Sequence, residues 1–178
     1  MTVRLFVGLE LPAALREHLS GLASGLPNAR WTSPENLHIT LRFIGDIDEA
    51  QAELVHDSLS LVRDAAFDLV IRGCGAFASG HRAHTLWAGV DPAPPLLHLQ
   101  SKVESAVART GLEPEGRRFR PHVTLARLKS TPTERLQNFI AGNNLLRAEL
   151  RIERFVLFSS QLGQGEPVYT ALADYPLT

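Results

Sequence analysis

Two triplets in this sequence echo one another: His38-Ile39-Thr40 and His122-Val123-Thr124. Each has a β-branched middle residue and a leucine after it, Leu41 and Leu125. In an extended strand, residues i and i+2 share a face. His38 and Thr40 therefore point one way, and Ile39 and Leu41 the other. The same holds for His122 and Thr124 against Val123 and Leu125. Each strand thus offers an apolar face to a core and an imidazole–hydroxyl pair to a ligand. Imidazole titrates near neutrality and can either give or take a proton. Opening a cyclic phosphodiester needs both actions, a base for the attacking water and an acid for the departing ribose oxygen, on opposite sides of phosphorus. Threonine hydroxyls can hold the non-bridging oxygens as charge builds. His38, His122, Thr40 and Thr124 are accordingly the expected catalytic set. They lack the carboxylate and cysteine donors that zinc or two-metal sites recruit, so neither metal nor cofactor is expected. The competing reading is a pair of strand histidines satisfied by local hydrogen bonds.

Elements of regular structure must place these triplets. Val3 to Leu9 reads as a buried first strand. Pro12 suits a helix start, and Leu15, Leu19 and Leu22 carry helical spacing up to Gly25 and Pro27. Leu37 to Ile44 reads as the strand of the first triplet, and Asp48 to Val62 as a helix. Phe67 to Phe77 and Thr85 to Val90 read as a hairpin across Ser79-Gly80-His81-Arg82. A helix with Leu96, Leu99, Val103 and Val107 on one face follows and stops at Gly111. His122 to Leu128 is the second triplet's strand, Thr133 to Ile140 a short helix. Arg151 to Ser160 and Val168 to Ala173 complete the sheet. The order β-α-β-α-β-β-α-β-α-β-β nearly repeats in halves. It predicts an α+β fold of two similar lobes, each an antiparallel sheet with helices on its outer face, around a central cleft with pseudo-twofold symmetry. One bilobal domain spanning residues 1–178 is expected.

Composition narrows the classes. The chain has 178 residues, 44% of them apolar, so a real core can form. Its net charge of −1 argues against coating long nucleic acid by charge alone. A small nucleotide or the end of an RNA stays compatible. One cysteine, Cys74, permits no intrachain disulfide and suits a reducing cytosol, so a cytoplasmic protein is expected; a monomer is the expected state. No membrane association is expected: no apolar run approaches the ~20 residues that span a bilayer, and the opening segment is unlike a signal peptide.

At the triplets and around them the chain resembles the two-histidine phosphoesterase superfamily. Within it, the chain resembles the RNA 2′,3′-cyclic phosphodiesterases, formerly called 2′-5′ RNA ligases. Arg4 to Pro12 resembles the family's opening strand, Glu35 to Gly45 its first motif, and Phe119 to Arg127 its second. Ser159 to Leu162 and Tyr169 to Leu172 resemble its closing hairpin. The resemblance implies a bilobal fold with the motifs facing across a cleft. It implies metal-independent hydrolysis of a terminal 2′,3′-cyclic phosphate to a 2′-phosphate, and reversible 2′-5′ joining of tRNA halves. It also implies His38 as proton donor and His122 as acceptor, roles the near-symmetric motifs do not themselves assign.

Arg127, Phe43 and Trp31 are candidates for substrate binding. Arg127 lies three residues after Thr124, on the opposite face of a regular strand; only a bulge or the strand's end would turn it inward. The family match suggests a phosphate contact, which arginine's geometry suits, against a plain surface role. Phe43 and Trp31 flank the first motif and can stack on a base or pack in the core. Arg117, Arg118 and Arg120 make the approach to the second motif basic, as a backbone contact or a solvated loop. The expected partner is RNA with a 2′,3′-cyclic phosphate end. A small cyclic nucleotide or a 2′-5′ oligonucleotide fits the same site, and a nucleotide-binding module without turnover is the non-enzymatic alternative.

Overall fold

A computed structural model describes residues 1–178. In chain order the elements are β1 (Thr2–Glu10), α1 (Ala13–Ser20), β2 (Ala29–Trp31), a 3₁₀ turn (Pro34–Asn36), β3 (His38–Asp48), α2 (Glu49–Leu59), β4 (Phe67–Ser79) and β5 (Arg82–Val90). Then come α3 (Pro94–Ala108), β6 (His122–Leu128), α4 (Thr133–Gly142), β7 (Arg147–Ile152), β8 (Arg154–Gln161) and β9 (Val168–Pro176). Local chemistry sets several boundaries. Asp48 lies outside α2 and caps it, its carboxylate accepting from the Gln51 amide at 2.7 Å. Proline opens α3, where its missing N–H costs nothing. Gly80 takes φ 64° in the tight β4–β5 turn, a conformation that favours glycine.

All strand pairs are antiparallel, in the order β7-β4-β5-β6-β3-β1-β8-β9, with β2 beside β6. The sheet divides at its middle. On one side β5 and β6 pair along much of their lengths, and on the other so do β1 and β3. Between β3 and β6 a single residue pair, Ile39 and Val123, joins the halves. The result is two lobes of four main strands each. Read outward from the seam, β6 corresponds to β3, β5 to β1, β4 to β8 and β7 to β9. The lobes are not the two halves of the chain: β8 and β9 return from the C-terminal end to complete the lobe begun by β1.

That return explains one difference from the sequence reading. Arg151 to Ser160 is not one strand. β7 pairs with β4 in one lobe and β8 with β1 in the other, so the ladder breaks at Glu153 where the chain crosses. A second difference is β2, three residues too few to show alternation, which forms because β6 offers it a free edge.

The core lies behind the sheet. Ile39, Leu41, Val123 and Leu125 are buried in one cluster with Leu15 and Leu19 of α1, Val55 and Leu59 of α2, Leu96, Leu99 and Val103 of α3, and Leu136 of α4. The helices therefore cover the face opposite His38, Thr40, His122 and Thr124. A separate small cluster, Phe6, Val156 and Phe158 with Tyr169, sits on the other face.

One charge is buried on the helical side. Arg42, 7% exposed, donates through Nε to Glu104 of α3 at 2.6 Å, and through its terminal nitrogens to the Phe43 and Glu113 carbonyls at 2.6 and 2.5 Å. Glu104 also accepts from the Glu115 amide at 3.0 Å. This pair ties β3 to α3 and to the loop that leads to the second motif. Removing one partner leaves the other charge without compensation. Arg42→Ala should destabilise the protein by about 3–5 kcal/mol, read as a lower urea midpoint at unchanged slope. A loss under ~1 kcal/mol, the scale of an exposed ion pair, would contradict this role.

Candidate active site

The seam pair fixes the relation between the motifs. Extending the antiparallel register one residue each way from Ile39 and Val123 sets His38 across from Thr124 and Thr40 across from His122. Both side-chain pairs face away from the core. The two motifs thus lie side by side in one cleft, related by the pseudo-twofold that runs through the seam.

Each motif strand carries a bulge just past its threonine. On β3 the register with β1 jumps from Gly8–Thr40 to Val7–Arg42, which leaves Leu41 as the extra residue. On β6 the register with β5 jumps from Trp87–Thr124 to Leu86–Ala126, which leaves Leu125. A bulge inserts one residue and resets the alternation. Phe43 and Arg127, each five residues after its histidine, therefore return to the cleft face. Arg127 does not point away from Thr124, as a regular strand would have it. Its guanidinium donates to the Thr85 hydroxyl at 2.9 Å, and Thr85 also bonds His84 Nδ1 at 2.8 Å.

The two imidazoles are held alike. Each donates Nδ1–H to a carbonyl two residues upstream, His38 to Asn36 and His122 to Arg120, both at 2.7 Å. A carbonyl can only accept, so Nδ1 carries the proton and Nε2 the lone pair of the neutral ring. Nε2 of His38 accepts from the Thr40 hydroxyl at 2.8 Å. His122 lines the open cleft. Burial holds both imidazoles below the usual range. It outweighs the upstream carbonyl bond, which acts in the opposite sense; the neighbouring His122 lowers His38 further, and Arg127 does the same for His122. Arg127 and the two histidines are thus close enough to feel each other's charge.

The cleft has about 640 Å³ beside Thr40, Phe43, Phe77, His84 and His122, with Arg117, Arg118 and Arg120 on its rim. Aromatic rings flank each histidine. Phe6 lies 4.9 Å from His38 and Tyr169 stands edge-on to it at 5.3 Å. Phe77 stands edge-on to His122 at 4.9 Å. Phe43 is 41% exposed, with the Arg4 guanidinium 5.2 Å above its ring. Trp31 is not brought here. It pairs with Ala126 on the core side of β6 and packs on Phe139 of α4 at 5.7 Å.

Sequence reasoning missed Phe6, Phe77, Tyr169 and Asn36. The half-buried Tyr169 sits on β9, and the hairpin leading to it grips the first motif: Asn36 donates its side-chain amide to the Pro167 carbonyl at 2.7 Å, and Glu166 accepts from the Ser33 amide at 2.9 Å. Asn36, 8% exposed, therefore connects that hairpin to the carbonyl that orients His38. No local pattern marks such a contact.

A model of the 2′-5′ RNA ligase superfamily matches residues 11–164, which include both motifs. The chain belongs to this superfamily. It is 30% identical over 188 positions to the RNA 2′,3′-cyclic phosphodiesterase of Methanothermobacter thermautotrophicus, covering 99% of this chain and 100% of the relative. It is 33% identical over 170 positions to the enzyme of that name from Aeropyrum pernix, covering 91% and 92%. The crystal structure of E. coli LigT complexed with 3′-AMP superposes with a TM-score of 0.80 at 26% identity, over 100% of this chain and 99% of that one. The two-lobed fold is that of this superfamily member, and the seam joins the corresponding lobes here.

The lowered imidazole pKa values carry a stability signature. Below about pH 6.5 an unfolded histidine takes up a proton, while the buried pair resists it. The unfolded state then binds more protons, so stability falls as pH drops below that value toward the native pKa values. Above it both states are neutral and the pair contributes no slope. Imidazole Cε1–H shifts should give midpoints below 6.5 for His38 and His122. A midpoint above 6.5 for either ring would contradict the dominance of burial.

Proposed function

We propose that this protein hydrolyses the terminal 2′,3′-cyclic phosphate of RNA to a 2′-phosphate, without a metal, through His38 and His122. The observation that carries the reading is the matched pair of imidazoles, each locked by the same Nδ1 bond, on one face across a single seam. Curated relatives over nearly the full chain bear the name RNA 2′,3′-cyclic phosphodiesterase.

The steps follow from this arrangement. His122 offers the Nε2 lone pair to a water, takes its proton as the oxygen attacks phosphorus, and becomes imidazolium. His38, charged, gives its Nε2 proton to the ribose 3′-oxygen as the P–O3′ bond breaks. The anionic phosphate favours the charged form of a nearby imidazole, which offsets the burial that otherwise keeps His38 neutral. Thr40, Thr124 and Arg127 hold the non-bridging oxygens as charge builds. Phe43 provides a face on which a base can stack. Attack by a 5′-hydroxyl in place of water uses the same two transfers and makes a 2′-5′ linkage, so reversible ligation belongs to the same site. A mononucleotide 2′,3′-cyclic phosphate fits the same chemistry, and the LigT complex with 3′-AMP supports a pocket that admits a single nucleotide. A cytoplasmic enzyme suits the single, half-buried cysteine, Cys74.

The test uses an oligoribonucleotide ending in a 2′,3′-cyclic phosphate, with EDTA present. Wild type should turn it over to an end that resists a 3′-phosphatase. His38→Ala and His122→Ala should each lower kcat by about 10²–10⁴-fold. Loss of wild-type activity in EDTA, or either alanine variant retaining it, would overturn the scheme.

A further inference from the structure

Beside the cleft lies a second groove of about 690 Å³, where β2 runs against the end of β6. Asn28, Arg30, Arg127, Lys129 and Ser130 supply its polar wall. Arg30 stands directly opposite Arg127 in the β2–β6 register, and Lys129 follows Arg127 at i+2. Arg30 and Arg127 thus share one face of two paired strands, and Lys129 lines the same groove just past the end of β6. Like charges directly opposite each other repel. Here nothing relieves them: none of the molecule's ion pairs involves Arg30, Arg127 or Lys129, and no acidic residue lines the groove. On a chain of net charge −1, such a concentration of unpaired cations attracts an anion.

Arg127 lines this groove, stands on the face of β6 that carries His122, and its charge reaches that imidazole. The bulge at Leu125 turns it into the cleft, while its cross-strand neighbour Arg30 carries the charge away from His122. The groove therefore continues the phosphate site rather than forming another. The other basic flank is differently built. Arg117 is paired with Glu115 at 3.5 Å, and Arg120 lies 5.8 Å over the Phe77 ring. Its charge is partly neutralised within the protein.

We infer that Arg30 and Lys129 form a track for the RNA strand upstream of the cyclic phosphate, with Arg127 as the junction to the catalytic site. Arg30 stands across the strand pair from Arg127, a step of about 5 Å, and Lys129 follows two residues on, about 6.7 Å if the chain stays extended, spacings on the scale of neighbouring phosphates in a single strand. The track makes an oligonucleotide the preferred substrate over a free nucleotide. It rests on the phosphodiesterase reading above.

The experiment compares two substrates: a 2′,3′-cyclic mononucleotide and an oligoribonucleotide of several residues with the same cyclic end. The enzymes are wild type, Arg30→Gln/Lys129→Gln and, as the control for the other flank, Arg117→Gln/Arg118→Gln. Wild type should prefer the oligonucleotide. Arg30→Gln/Lys129→Gln should lower kcat/KM on it about tenfold at low salt and leave the mononucleotide rate unchanged. The slope of log kcat/KM against log salt on the oligonucleotide should become shallower by about 0.7 per lost phosphate contact, about 1.4 for the pair. An equal loss on both substrates overturns the track, because it marks a structural effect. So does an unchanged oligonucleotide rate, or a length preference that disappears only in Arg117→Gln/Arg118→Gln. Wild type inactive on both substrates removes the phosphodiesterase reading itself; wild type equally active on both removes only the track.

Discussion

Ile39 and Val123 are fully buried and face each other across the only ladder contact between β3 and β6. Side-chain alternation along a strand means that burying these two residues exposes their neighbours on the other face. Four polar side chains from two distant stretches of chain are thereby brought into one cleft. A one-residue slip of either strand would reverse the exchange and drive the imidazoles into the helical core. Unpaired burial of such groups is costly, so the core enforces the register of the site. Two Leu residues just past the motifs, Leu41 and Leu125, are buried beside the pair and resist the slip further.

The bulges at those same leucines decide what the fifth residue after each histidine does. The lobes repeat the device, but the residues it delivers differ: Phe43 in one lobe and Arg127 in the other. The departure from symmetry extends outward. In the Arg127 lobe, β2 pairs with β6 where β3 has diverged and adds Arg30. In the other lobe the corresponding side of β3 carries Arg42, which is turned into the core toward Glu104 and Glu113. One wall of the cleft is consequently aromatic, with Phe6, Phe43 and Tyr169, and the other is aromatic near His122 and cationic beyond it. A symmetric scaffold thus gives a polarised cleft, suited to a ligand with a base at one side and a phosphate chain at the other.

The parts legible in the sequence are those set by local period. The triplets, their shared face, the helical stripes and the succession of elements along the chain all depend on neighbours a few residues apart. The face of Arg127 was not legible, because a bulge arises from pairing with β5 and leaves no local mark. The break at Glu153 depends likewise on which lobe each strand joins. Trp31 carries no signal that separates base stacking from packing; its place on the core side follows from its register with Ala126. Tyr169 and Asn36 reach His38 through contacts between the ends of the chain, which no short window contains.

The electrostatics of the pair fit a site built to respond to its ligand. Two imidazoles near each other, both desolvated, disfavour charge in the empty cleft. Two neutral rings make one base too many, since the reaction needs an acid as well. A phosphate anion between them changes the balance. It favours protonation of the ring it approaches, and a charged ring in turn disfavours a second proton on its neighbour. The Thr40 hydroxyl supplies the local asymmetry, because it already donates to Nε2 of His38 and must turn when that atom becomes a donor. Its hydrogen is then released toward the phosphate that caused the change. On this account protonation of His38, reorientation of Thr40 and binding of the phosphate are one coupled event. In the proposed mechanism the charge on His38 disfavours a second proton on His122, the ring to which that mechanism gives the role of base.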